Sequence, residues 1–166
     1  VPFSLTPEGT VKHLAATVTL AEIPTGTRCR FHLYQDSQGA FTRASLVSDE
    51  FSFLAGNATT YRIERLQLAE GKLHVALQMP EVKNYNGDME RPRDIGRTEL
   101  RVAPDTRVWK GDKLGQLGEL AVGDVLLVNL TGELPGQPAR CTDLWVGADT
   151  LKLLSEKSRK QPKRAK

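Results

Sequence analysis

Hydrophobic and polar residues alternate with period two along most of this chain, the pattern of half-buried β-strands. Residues 28–34 alternate cleanly: Cys29, Phe31 and Leu33 point one way, and Arg28, Arg30, His32 and Tyr34 the other. The first set is expected inward and the second outward. Residues 73–79 repeat the pattern with Leu73, Val75, Leu77 and Met79 inward, and 98–103 place Leu100 and Val102 inward. The stretch 61–68 begins with Tyr61 and Ile63 on one face and continues with Leu66 and Leu68 on the other. That phase slip predicts a bulge near Glu64-Arg65. Residues 125–130 are apolar on both faces until Asn129 and read as a central strand. The expected core is Phe31, Leu33, Val75, Leu77, Leu100, Val102, Leu126, Val128 and Leu144.

Turn signals separate these runs. Asp36-Ser37-Gln38-Gly39 closes a hairpin from 28–35 to 40–47, Ala69-Glu70-Gly71-Lys72 closes a second, and 132–138 form a longer third. The stretch 80–96, with Asn84, Asn86-Gly87-Asp88 and Pro92, reads as a long loop. Helical signal is scarce. In 113–120, Leu114, Leu117 and Leu120 recur at spacing three, but Gly115 and Gly118 weaken a helix, so a single turn is expected. Thr150 is placed to cap a short helix through Leu151, Leu153 and Leu154.

A motif occurs twice. Leu20-Ala21-Glu22-Ile23-Pro24-Thr25-Gly26-Thr27 and Leu117-Gly118-Glu119-Leu120-Ala121-Val122-Gly123-Asp124 both precede a strand, 97 residues apart. A short turn would deliver a leucine to the floor of a barrel, and the glycine permits a tight approach to the next strand. One and a half units fit the length better than two. Residues 58–147 read as strand, hairpin, strand, long loop, strand, helical turn, strand, loop, strand, which is the order of an OB-fold.

The string Thr106-Arg107-Val108-Trp109-Lys110-Gly111, followed by 117–120 and Val122-Gly123-Asp124, resembles a recurrent small-barrel domain of secreted bacterial proteins of unknown function. The stretch from Ile23 through Asp36 is similar to a companion segment of such proteins. The resemblance covers about 120 residues and is carried by turn glycines and core leucines. It implies a secreted or envelope location and no known activity. Fold alone does not specify function.

Charge refines the picture. The chain of 166 residues is +3 overall, with a pI near 9.0. From Lys152 onward there are seven basic residues and one acid, Glu156, so the first 151 residues are net −3. The basic character belongs to the tail, which is expected to be solvated or to serve as an arm for phosphates. The longest wholly apolar run is Val125-Leu126-Leu127-Val128, far short of the roughly 20 residues of a membrane-spanning helix. Cys29 and Cys141 show no metal-ribbon spacing. An oxidising compartment would permit their pairing; the alternative is two buried thiols. The chain opens on Val1, as processing would leave it, and a removed signal peptide would not be visible.

Catalytic and metal motifs are sparse. His13, His32 and His74 would need three strands to converge on one ion, and Cys29 and His32 fall on opposite faces of a strand. No nucleophile elbow, phosphate loop or dinucleotide fingerprint occurs. The expected protein is therefore all-β. A hairpin half repeat occupies about 10–55, an OB-like barrel 57–150 and a basic tail 151–166. Its expected role is that of a non-catalytic binding or interaction module for a protein or polymer ligand, without cofactor or metal. The alternative is anion or nucleic-acid binding on the face Arg28, Arg30, His32, Tyr34, with Arg43 across the hairpin, because single strands bind where aromatics stack within a basic groove.

The tail generates a first prediction. After Leu154 it has no large apolar residue, and its like charges repel. Deleting 155–166 should leave the melting temperature unchanged and lower the net charge to −2. Any DNA or anionic-vesicle binding by the whole chain should then disappear; a truncated chain that unfolds would show instead that the tail docks.

Overall fold

The structure is a computed structural model describing residues 3–80, 82–83, 86, 89–90, 93–133, 139–147 and 150. Two mixed sheets carry the fold, which is all-β. The first contains β1 (Ser4–His13), β2 (Ala16–Val18), β3 (Cys29–Gln35) and β4 (Phe41–Asp49) in the order β2-β1-β4-β3, with β1 parallel to β4 and the other pairs antiparallel. A helix, α1 (Glu50–Gly56), leads to the second sheet. There, β5 (Thr60–Gln67) and β6 (Lys72–Met79) form a hairpin; β7 (Val82–Lys83) and β8 (Met89–Glu90) make a small ribbon; β9 (Arg93–Arg101) returns against β6. Then come β10 (Arg107–Lys110), β11 (Lys113–Gly115), β12 (Val125–Leu130) and β13 (Cys141–Val146). The seven strands lie in the order β11-β10-β13-β12-β5-β6-β9.

Local sequence accounts for most of this. Pairing of β5 with β6 skips Glu64, where the phase of the apolar residues slips. Gly71, at φ 65°, closes that hairpin; a Cβ there would lie 2.7 Å from the Val102 carbonyl oxygen. Leu117–Glu119 is a single 3-10 turn, as its glycines predict. Two expectations about the elements need correction. The stretch 80–96 is not one long loop, because β9 begins at Arg93 and β7 pairs with β8. And α1 stands where no helix was expected. Asp49 caps it by accepting from Ser52 N at 2.7 Å, and Phe51 and Leu54, three apart, are both buried. Seven residues are too few to show helical periodicity beside a strand. The helix expected beyond Thr150, and the tail, lie outside the described residues.

One core joins β5, β6, β9, β10, β12, β13 and α1, with Ile63, Leu73, Leu126, Val128 and Leu144 at 0% exposure. Phe51 packs edge-on against Trp145 at 4.5 Å. Val75, Leu100 and Val102 are buried as expected, whereas Leu77 is half-buried. Phe31 and Leu33, expected inside, are each 41% exposed. They face a much smaller cluster in which only Val11, Ala44 and Val47 are buried. Periodicity identified their common face; among the described residues nothing closes over it. The sheets meet where Thr27 bridges Thr131, Arg28 N donates to Leu130 O at 2.9 Å and Gly132 N donates to Gly26 O at 2.7 Å.

The strands that follow Gly26 and Gly123 occupy the same places in the orders β2-β1-β4-β3 and β11-β10-β13-β12. Their registers agree at the 97-residue spacing. Cys29 opposes Asp49 as Leu126 opposes Val146; Phe31 opposes Val47 as Val128 opposes Leu144. The bulges coincide too, since β3 skips Ser45 and β12 skips Thr142. Thr10 opposes Leu46 as Arg107 opposes Asp143, and His13 opposes Ala16 as Lys110 opposes Lys113.

Stability should follow burial. Leu126→Ala should cost about 2–5 kcal/mol through lost contacts and a cavity, and Leu33→Ala less than about 1 kcal/mol. Urea unfolding of the two variants checks the contrast, and equal losses would mean that the β3 face is covered.

Candidate functional site

At the end of β4 the chain places a carboxylate where three elements converge. Asp49 is fully buried. Besides capping α1 through Oδ1, it accepts at Oδ2 from Leu14 N at 3.0 Å and from Asn129 Nδ2 at 3.2 Å. His13 Nδ1 lies 2.7 Å from the same oxygen. Leu14 and Ala15 form the β1–β2 turn with φ of 50° and 62°, a left-handed conformation costly for residues with a Cβ. Asp49 and Ser52, whose Oγ accepts from Ala15 N at 2.9 Å, hold them there. Asn129 is the one polar residue of the otherwise apolar β12. It is 4% exposed, and its Oδ1 has no hydrogen-bond partner among the described residues.

Above this cluster opens a cavity of about 770 Å³. Its walls come from the β1–β2 turn, the 24–27 turn, the β5–β6 turn at Gly71, the end of β9, and the residues flanking the β12–β13 connection. The size suits a small organic ligand. His13 and Asn129 line its floor, and Arg101, Arg107 and Arg140 its walls. The three arginines are not equally free. Arg107 forks onto Asp143, Nη2 to Oδ2 and Nε to Oδ1 both at 2.8 Å, and Trp109 Nε1 donates to the same carboxylate. Arg140 pairs with Asp105 at 2.7 Å. Among the described residues Arg101 has only Glu99, 3.9 Å away, and its side chain is half exposed.

The residues singled out on β3 divide. Arg28 and Arg30 line a second cavity, of about 390 Å³, between β3 and β9. Arg30 forks onto the buried Glu50, Nε and Nη2 each at 2.9 Å, and lies over the Phe53 ring, 4.1 Å from its centroid. The hydrogen bond to Glu50 raises its pKa. Burial, and then the charge of Glu50, pushes up the nearby Tyr61 hydroxyl. Arg28 reaches Glu133 at 3.4 Å. Tyr34 opposes Arg43 directly and shares with it a shallow depression near Thr6 and Glu8; His32, opposite Leu46, is exposed. The hairpin therefore does not bring Arg28, Arg30, His32, Tyr34 and Arg43 together around one cavity. Sequence reading weighed His13 only as a metal ligand and missed Asp49, Asn129 and Arg101 as cavity or junction residues. The available signal was Asn129, a lone amide in a central strand.

Cys29 and Cys141 are both free. Burial, and then Asp143, pushes the Cys141 thiol up to about 12; burial, and then Asp49, raises Cys29.

No family model, no curated protein and no solved structure matches this chain.

Two outcomes are expected. Asp49→Ala removes the acceptor of three donors and should cost at least about 3 kcal/mol, since each buried donor left unsatisfied costs about 1–3 kcal/mol, as measured by urea unfolding. The native state keeps the Cys141 proton to higher pH than the unfolded chain does. Its contribution is therefore fully present below pH 9 and is lost as the pH rises toward 12. Cys141 should resist iodoacetamide at pH 8 in the native protein and react on unfolding; rapid native labelling would show that β13 opens.

Proposed function

We propose that this chain is a non-catalytic binding module, that its larger sheet is an OB-type barrel, and that it takes a small polar ligand bearing an anionic group in the 770 Å³ cavity. The barrel reading rests on chain order. β5, β6 and β9 form an antiparallel meander, β12 is antiparallel to β5 and to β13, and β13 is parallel to β10. A turn in which Thr106 N donates to Ala103 O divides β9 from β10, so the two serve as halves of one barrel strand. On such barrels ligands bind near the second and third strands and the loops after the first and fourth. The Gly71 turn, the end of β9 and the β12–β13 connection, which meet at the cavity, hold those positions.

The observation that carries the reading is the cavity lined by Asn129, whose buried Oδ1 has no hydrogen-bond partner among the described residues, and by Arg101, whose one ion pair there is with Glu99 at 3.9 Å. A buried acceptor without a partner is unfavourable until something donates to it. A ligand hydroxyl or amine would satisfy Asn129, and its anionic group Arg101. Asp49, which accepts from Ser52, Leu14 and Asn129 at the junction of the sheets, serves as frame. The alternative, polyanion binding along β3 and the tail, has less support because Arg28 and Arg30 already face Glu133 and Glu50.

Glucose 6-phosphate is a suitable probe, with inorganic phosphate and glucose as controls. Titration followed by amide shifts should perturb the Gly71, Arg101 and Thr131 regions saturably. Arg101→Gln should weaken binding about tenfold, equivalent to about 1.4 kcal/mol, and Arg43→Gln should leave it unchanged. Shifts confined to Tyr34 and Arg43, or stronger shifts with a single-stranded oligonucleotide, would favour the β3 reading.

A further inference from the structure

The two segments that agree in register differ in what covers them. In the larger sheet, Leu126, Val128 and Leu130 of β12 are at most 5% exposed and share one core with Tyr61 and Ile63 of β5 and Leu73 and Val75 of β6. Cys29, Phe31 and Leu33 stand at the same register positions of β3, yet Phe31 and Leu33 are 41% exposed and Cys29 is half-buried. The same holds off the strand. Leu100, Val102 and Leu120 are buried, whereas Phe3, Leu5 and Ile23, at the 97-residue spacing from them, are half-buried around a cluster with only three buried members. The residues are apolar in both segments. Among the described residues the first segment has no counterpart of β5, β6 and most of β9.

We propose that the N-terminal sheet is one side of a second barrel, and that its open face is an interaction surface for a three-stranded antiparallel meander joined to β1 as β9 is joined to β10. The chain's own second unit shows what such a face receives. There β5 lies antiparallel along the start of β12, Val125 opposite Arg62 and Leu126 opposite Tyr61, and its inward Tyr61 and Ile63 close the core. Beyond Arg28, whose N–H reaches Leu130, β3 pairs only with β4 among the described residues. Burying Phe31 and Leu33 under a matching apolar layer removes their remaining exposed area from water, and the free strand edge gains hydrogen bonds that an isolated edge lacks. The occupant is thus defined by its chemistry: strands of alternating apolar and polar residues with the apolar side toward Phe31, Leu33 and Val47.

The test adds the missing layer. A copy of residues 57–102 is fused ahead of residue 6 of the full chain, since Val102 and Leu5 hold equivalent positions. Amide hydrogen exchange is read at residues 30–35 and within the added copy. A second fusion also carries Cys29→Leu and Phe31→Val, so that β3 presents the residues β12 presents. A third carries Ile63→Lys and Val75→Lys in the added copy only. In at least one of the first two, the β3 amides should slow at least tenfold and the added copy should be protected, in a monomer; the third should show neither. If β3 exchanges at its original rate in both of the first two fusions, the proposal is overturned. It is equally overturned if the unextended chain dimerises with residues 30–35 protected, because a second copy then takes the face. Neither outcome depends on the ligand cavity.

Discussion

A single buried carboxylate ties β4, α1, the β1–β2 turn and β12 together. Asp49 ends β4, starts α1, fixes the β1–β2 turn and reaches Asn129 in the other sheet. A charge removed from water is tolerated only when its hydrogen-bonding capacity is met. Here two backbone N–H groups and one amide meet it, with His13 alongside. The corresponding turn in the larger sheet makes the comparison. Gly111 adopts φ 67° there, and its N–H donates to a neutral acceptor, Thr150 Oγ1, at 2.5 Å. Glycine takes that conformation without strain. Leu14 and Ala15 do not, and their turn rests on the carboxylate and on Ser52.

The larger cavity is a consequence of this junction. Asn129 donates Nδ2 to Asp49, and its buried Oδ1 has no hydrogen-bond partner among the described residues. Asp143 and Asp105 hold Arg107 and Arg140 at 2.8 and 2.7 Å, while among the described residues Arg101 meets only Glu99, at 3.9 Å. Acids also face the β3 arginines, Glu133 at Arg28 and Glu50 at Arg30. Arg30 compensates the buried Glu50, and its position over Phe53 fixes α1 against the hairpin.

Much of the strand pattern was legible because period two is a local property. The slip at Glu64 and the turn glycines at 71, 26 and 123 appear where spacing and residue type place them. The twice-occurring motif was visible in eight residues, but the register agreement extends from Thr10 to Asp49, much of it through residues that differ in type, such as Ala44 and Cys141. Strand β1 escaped notice because its apolar positions are interrupted: its pairing with β4 jumps between Leu5 and Thr10. α1 escaped because seven residues carry barely two turns of pattern.

The sequence by itself determined which residues share a face, where strands turn and where the charge lies, because these depend on neighbours in the chain. The tertiary structure alone decided which faces are covered. Phe31 and Val128 belong to strands of the same pattern and register, and one is 41% exposed while the other is at 0%. Burial depends on which distant strand arrives to close the layer, and no local spacing records that. The site follows the same rule. His13, Asp49, Arg101 and Asn129 are separated by up to 116 residues of chain, and only the packing of the two sheets brings them to one cavity.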